Sequence, residues 1–400
     1  MGRRRRGVST YFLVHRPSVT SAGDLMIGVL MSGKLGCARN RVLSASFGSV
    51  AAVALAALVV PAAGAGELEA AQTATADARA WSSVASIVLD DAAVGATTTA
   101  AMATIRHPSL GVPGRLLFTR TTGNDVQTIF MAAGRTERRV TEPGSYCCLV
   151  RVSPDRRRIL VMPGGDIQPP LTGGTIDFTG ENFKRLPLTD PTLNLIPQAW
   201  SPDGRRIAFE GWDDSDPSRT GVYTARASDG GDLVRVTSRP GLMHDIPLDF
   251  SPDGRRLVFY QSSFVDPEPN LDGSLWTVSV DGSNVREIAS AAVGPAPWAR
   301  WSKDGRKILF ANQRLATSGV LWTVNPDGSN LHTLFKDRAG GFPIDPVWSP
   351  NGSQVMFALD PTNDRFTHPD NALYVINADG THPHMVLASP DFKSQLEWLP

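Results

Sequence analysis

The sequence predicts an all-β fold, a six-bladed β-propeller of four-stranded antiparallel blades, with one blade closed by strands from both termini. Three observations predict it. The first is a recurring unit, clearest in Trp200-Ser-Pro-Asp-Gly-Arg-Arg-Ile-Ala-Phe209, with copies from Phe250, Trp301 and Trp348 and a degenerate one from Val152. The turn serines are 153, 201, 251, 302 and 349, in steps of 48, 50, 51 and 47, and a near-constant period of this size marks a repeat architecture. The second is the unbroken apolar run after each turn, as in Ile207-Ala208-Phe209, Leu257-Val258-Phe259 and Ile308-Leu309-Phe310. A strand with one wet face alternates, whereas a continuous apolar run is buried on both faces. A small sheet buried on both faces stacks between copies of itself, as propeller blades do. The third is the chain end. Trp398 lies 50 residues after Trp348, one repeat on, and residues 395–399 supply the inner strand that the first blade lacks.

Within each repeat the elements follow in order. Strand a ends at the aromatic residue. A tight turn follows, in which Pro202 presets φ at about −65° and Asp203 and Gly204 supply turn chemistry. Gly204, Gly254 and Gly305 are expected at positive φ. In the degenerate copy Arg156 stands where the others have glycine, so that turn is expected to be irregular. Strand b occurs at 116–119, 159–162, 207–210, 257–260, 308–311 and 355–358, which makes six blades. Strand c carries a central aromatic, Phe130, Tyr223, Trp276, Trp322 or Tyr374. A second turn at Asp229, Asp281, Asp327 or Asp379, each followed by glycine, is a strong hairpin signal before strand d. The second copy keeps this order loosely, with strands c and d at 175–179 and 185–188.

Residues 1–65 read as an export signal. Lys34, Arg39 and Arg41 form a basic region, residues 50–60 an apolar run, and Ala63-Gly64-Ala65 a small-residue cleavage site. Met26 or Met31 makes the more ordinary start. The apolar run is too short for a stable transmembrane anchor. Residues 66–113, rich in Ala and Thr without a sustained period, read as a low-complexity tether, and residues 114–400 as the propeller. The 39 basic and 39 acidic side chains cancel, which is not the basic footprint of a nucleic-acid binder. After cleavage only Cys147 and Cys148 remain. A disulfide between neighbours in sequence is strained, so two buried thiols are expected.

The Trp-Ser-Pro-Asp-Gly-x-x-Ile-x-Phe core resembles the propeller repeat of the TolB family over about residues 115–400. The resemblance implies a six-bladed propeller and does not by itself imply a role in an envelope complex. The repeats also resemble the propellers attached to peptidases of the prolyl oligopeptidase type. The G-x-S-x-G nucleophile elbow of that hydrolase domain does not occur in this chain.

A four-stranded meander puts its a–b and c–d turns on one rim of the ring and its b–c and d–a loops on the other. The first rim is uniform; the second is long and dissimilar, and variable loops on a rigid scaffold are where function concentrates. The candidate binding residues on that rim are Trp212, His244, Asp245, Trp298, Phe342 and Asp345. The aromatics are anchors for a partner, and a histidine with nearby carboxylates is the raw material of acid–base chemistry. The acidic loop residues Asp213, Asp214, Asp216, Asp266, Glu268, Asp272, Asp360, Asp364 and Asp370 match no calcium-loop spacing, so neither a metal nor another cofactor is expected. The reading is an exported, monomeric binding module or scaffold without intrinsic catalysis, holding a protein or glycan partner. The alternative is a propeller lactonase, esterase or carbohydrate lyase with its site at the channel mouth.

Overall fold

The computed structural model describes residues 104–106, 109–122, 126–164, 169–187, 189–238, 243–265, 268–269, 273–294, 297–312, 319–361, 371–388 and 391–400. The export signal and most of the tether lie outside these residues.

Six antiparallel sheets form the ring. Blade 2 holds Tyr146–Val152, Ile159–Pro163, Gly174–Ile176 and Lys184–Arg185 as strands a to d. Blade 3 holds Asn194–Trp200, Arg206–Trp212, Gly221–Arg226 and Val234–Arg235. Blade 4 holds Met243–Phe250, Arg256–Val265, Ser274–Ser279 and Arg286–Ala289, with Glu268–Pro269 paired to the overhanging end of its strand b. Blade 5 holds Trp298–Trp301, Ile308–Asn312, Val320–Val324 and His332–Lys336. Blade 6 holds Phe342–Trp348, Gln354–Asp360, Ala372–Asn377 and His384–Ala388. Blade 1 takes strands b to d from Arg115–Thr122, Val126–Ala133 and Thr136–Arg139, and its strand a from the chain end, Phe392–Leu399. Its outer edge gains Thr104–Arg106, so the last part of the segment read as a tether pairs with the blade.

Closure follows the expected register. Leu116 faces Trp398 and Leu117 faces Glu397, and the Trp398 indole donates to the Pro113 carbonyl at 2.9 Å. Each strand a then touches the next around the axis, and the last touches the first.

Period-two side-chain direction explains the unbroken apolar runs. Ile207 and Phe209 pack toward blade 2 while Ala208 packs toward blade 4. Ile308 and Phe310 pack toward blade 4 while Leu309 and Ala311 pack toward blade 6. Each of the six blade interfaces therefore has its own apolar cluster. The strand-c aromatics sit directly opposite the strand-b phenylalanines, Phe118 on Phe130, Phe259 on Trp276 and Phe357 on Tyr374, with ring centroids 6.3, 6.4 and 5.9 Å apart. Such cross-strand pairs are the unit of sheet stabilisation.

The a–b turns are tied from within. In blade 3 the Ser201 hydroxyl donates to Asp203 Oδ1 at 2.6 Å and accepts from the Arg206 amide at 2.9 Å, while Asp203 Oδ1 also accepts from the Arg205 amide. Gly204, Gly254 and Gly305 have φ of 70°, 70° and 69°. The turn of blade 2 corrects an expectation: it is regular. Arg156 adopts φ 57°, and Ser153, Asp155 and Arg158 make the same bonds as their counterparts. That bonding outweighs the roughly 1–2 kcal/mol that a left-handed non-glycine residue costs.

Two predictions test this frame. A chain ending at Asp391 loses the closing strand and Trp398, whose burial alone is worth about 3–5 kcal/mol. It is expected to aggregate or to melt far below the full chain in calorimetry; an unchanged melting curve contradicts closure. Gly254→Val forces a β-branched residue to positive φ and is expected to lose about 1–3 kcal/mol in urea unfolding.

Candidate functional site

On the long-loop rim, strand b of blade 3 ends beside the start of strand a of blade 4. This brings His244 Nδ1 to 2.9 Å from Glu210 Oε1. The Trp212 indole meets the His244 ring edge-on, with centroids 6.2 Å apart. Burial alone would lower the His244 pKa, but the bond to Glu210 and the charges of Glu210 and Asp245 outweigh it and raise it above the ordinary value. Asp245 is buried and accepts from the Gln261 amide at 2.8 Å through Oδ1. Its Oδ2 has no hydrogen-bond partner among the described residues.

The neighbouring acids are engaged within their own loop. Asp213 accepts from Ser215 and Arg219, Asp214 from the Trp212 indole, and Asp216 from Ser218, capping the short 3-10 turn Pro217–Arg219. Asp360 is buried. Asp266, Asp272, Asp364 and Asp370, and the side chain of Glu268, lie outside the described residues. Among the described residues no group of three or more His, Cys, Asp or Glu side chains is placed to hold a metal ion.

The six residues singled out from the sequence divide into three places. Trp212, His244 and Asp245 share the rim between blades 3 and 4. Trp298 is half-buried against the apolar clusters of blades 5 and 6, and Phe342 is buried at the start of its strand. Asp345 is buried on the inner edge of blade 6, where its Oδ2 accepts from the Gln395 amide at 2.8 Å. Cys147 is half-buried, and its thiol donates to the Pro163 carbonyl at 3.8 Å; the side chain of Cys148 lies outside the described residues.

A second constellation lies at the opposite end of the channel. In each strand a the residue just before the motif position, which is Trp398, Val152, Trp200, Phe250, Trp301 or Trp348, is in blade order Glu397, Arg151, Ala199, Asp249, Arg300 or Val347. All six line a cavity of about 240 Å³, which Pro154 of an a–b turn places at the turn-bearing end. In blades 1, 2, 3, 4 and 6 the pairing of strand a with strand b shifts register just before this position, and bulges of this kind re-aim side chains. Arg300 Nη2 lies 3.2 Å and Arg151 Nη1 3.8 Å from the same oxygen of Glu397. Burial, then repulsion from Arg300, pushes Arg151 down to about 10. Burial pushes Asp249 up to about 6 despite Arg300, and it raises Asp345 as well. The sequence held a signal for this ring, since Arg151, Asp249, Arg300 and Glu397 each precede the last motif residue of their strand.

The chain is similar in structure to TolB from Acinetobacter baumannii, with a TM-score of 0.53 at 17% identity, over 72% of this chain and 67% of that one. The fold is that of a TolB-like propeller. Further similar structures are a TolB protein from Agrobacterium tumefaciens, with 0.49 at 19% identity over 72% of this chain and all of that one (100%), and an oligogalacturonate lyase in complex with manganese, with 0.49 at 11% identity over 72% and 84%. At these identities the likeness is one of fold. No protein-family model matches the chain, and no curated protein matches it in sequence.

The axial charges carry two expected outcomes. Glu397→Gln leaves Arg151 and Arg300 without their shared carboxylate and is expected to cost about 3 kcal/mol in denaturant unfolding. Asp249 has a folded pKa of about 6 against an ordinary 3.8. Between these values the folded state holds a proton that the unfolded chain has released. The contribution is therefore greatest below about pH 4 and is lost as pH rises through about 6. Stability of Asp249→Asn minus that of the parent, measured from pH 4 to 7, is expected to rise with pH; a flat difference contradicts the shift.

Proposed function

We propose that this chain is an exported propeller acting as a binding module, which holds a protein or glycan partner of the cell envelope on the long-loop rim at Trp212, His244 and Asp245. One observation carries the reading. Trp212, His244 and Glu210 form a preformed group, in which the Trp212 ring meets edge-on a histidine held by a buried carboxylate, and the next residue, Asp245, has an oxygen without a hydrogen-bond partner among the described residues. Partially desolvated polar groups next to an aromatic anchor are the makings of a hot spot. Trp298 and Phe342 stand on blades 5 and 6, away from this group. Export rests on the basic and apolar segments of residues 34–65. Among the described residues no helix is long and apolar enough to cross a membrane.

One observation favours a second reading. A histidine oriented by a carboxylate at 2.9 Å is the geometry of a general base, as a propeller lactonase, esterase or lyase would need. The two readings separate by mutation. Trp212→Ala and His244→Ala are expected to weaken capture of the partner from the native envelope by about tenfold or more while the β-sheet circular dichroism of the folded ring is retained. Ser283→Ala and Asn330→Ala, on the turn rim, are expected to leave capture unchanged. The binding reading fails if the turn-rim variants lose capture and the loop-rim variants keep it. The enzyme reading prevails if His244→Ala removes a measurable ester or lactone hydrolysis while capture is unaffected.

A further inference from the structure

The axial cavity at the turn-bearing end stands apart from the loop rim. His244 and Asp249 sit toward opposite ends of one strand, about 16 Å apart at strand rise. The cavity is asymmetric in charge and in bulk. On one side Glu397 bridges Arg300 and Arg151 past the small apolar Val347. On the other side the ring position of blade 3 is Ala199, which contributes only a methyl group. The open sector therefore has Arg151 on one flank and Asp249 on the other.

Each flank has unspent bonding capacity. Arg151 spends Nη1 on the Val150 carbonyl and on Gln395 Oε1, while its Nε has no partner and no bond engages Nη2 among the described residues. Asp249 accepts the Trp301 amide at 2.9 Å through Oδ2, and nothing among the described residues bonds its Oδ1. Trp200 and Trp348 stand beside the ring, their indoles anchored on the carbonyls of Arg151 and Arg300 at 3.3 and 3.4 Å. A cavity of about 240 Å³ corresponds to roughly eight waters of liquid volume. That is room for a small metabolite and too little for a sugar chain or a folded segment.

A guest of a single charge is mismatched here. A lone carboxylate at Arg151 also faces Asp249, Glu397 and Asp345, and a lone amine at Asp249 also faces Arg300 and Arg151. A guest with both charges meets both flanks. We propose that this cavity binds a free α-amino acid as its zwitterion, with the carboxylate on Arg151, the ammonium on Asp249 Oδ1, and the indole of Trp200 against the stem. Charge-assisted bonds at both ends are stronger than neutral ones. The groups facing Asp249 are Arg300, Arg151, Glu397 and the Trp301 amide. The ammonium requires the ionised form of Asp249, so binding releases a proton near pH 6 and weakens as pH falls through that value.

The test uses the purified full chain. Free proteinogenic L-amino acids are screened by saturation-transfer NMR at neutral pH, and the best binder is titrated calorimetrically beside its N-acetyl and its carboxamide derivatives. The expected result is that at least one amino acid binds and that each blocked derivative loses about tenfold or more. Asp249→Asn, near-isosteric and able to keep the Trp301 bond, is expected to lose a similar factor and to abolish the pH dependence around 6. Arg151→Gln is expected to lose at least as much. If that variant misfolds, the blocked derivatives and Asp249→Asn decide. The proposal is overturned if no amino acid binds, if the N-acetyl or carboxamide form binds as well as the parent, or if folded Asp249→Asn binds like the wild type with the same pH profile.

Discussion

Every strand b in this ring is buried on both faces, and that is possible only because the last strand returns to the first blade. Leu117, Phe118, Phe259, Phe310 and Phe357 are fully buried. Each blade uses alternate residues of one strand to fill two different interfaces. Removing a neighbour would expose half of a strand whose other half stayed packed. An open array has two such exposed faces and two unpaired edges, which invite aggregation. The pairing of Leu116 with Trp398 removes both at once. The stability of a single blade is thus not a separable quantity, and burial in blade 6 depends on strand pairing in blade 1.

The same closure imposes a constraint on the axis. Six strands a converge there, and their inner-edge side chains share little room. Five of the six relieve the crowding with a register shift. The residues after these shifts include Arg151 and the two carboxylates Glu397 and Asp249, and blade 5 adds Arg300 from a strand paired without a shift. Apolar side chains of similar volume would hold the axis at least as well, since buried ion pairs seldom add net stability. The charges therefore do not keep the blades together. Their effect is to decide which polar atoms point into the mouth, and the raised Asp249 and lowered Arg151 record what that arrangement costs.

Much of the fold was legible in the sequence because its signals are local and repeated. The aromatic residue, the Ser-Pro-Asp-Gly turn and the apolar triplet lie within ten residues and recur in phase. Closure was legible because Trp398 falls one period after Trp348. The regularity of the Arg156 turn is not visible in the missing glycine, because the serine and aspartate bonds fix the turn without it. Thr104–Arg106 was hidden because its strand is short and its flanks are Ala- and Thr-rich. Trp298 and Phe342 read as loop aromatics, yet each opens a strand a, where the chain already dives toward the core. The axial ring was hidden by the repeat itself. Its members stand about fifty residues apart and share a position but not a charge, so a search for one conserved chemistry per repeat passes over them.

The two ends of the channel differ in a way that follows from strand order alone. The a–b turns are fixed by serine and aspartate bonds inside each turn, for instance Ser302 to Asp304 and Lys307 to Ser302, and they hold the axial residues of the strands a that precede them in fixed places. A site built on them is rigid and small, suited to a guest of defined charge pattern. The b–c and d–a loops begin where the pairing of the blades ends, and their length is free to vary without disturbing the ring. A surface built on them can be broad and adaptable, which is what a macromolecular partner requires. Glu210 and His244 sit where the rigid frame ends and the loops begin. A bond between strand b of one blade and strand a of the next therefore carries the position of the frame into the rim, and it makes His244 the residue through which the placement of blades 3 and 4 reaches whatever the loops hold.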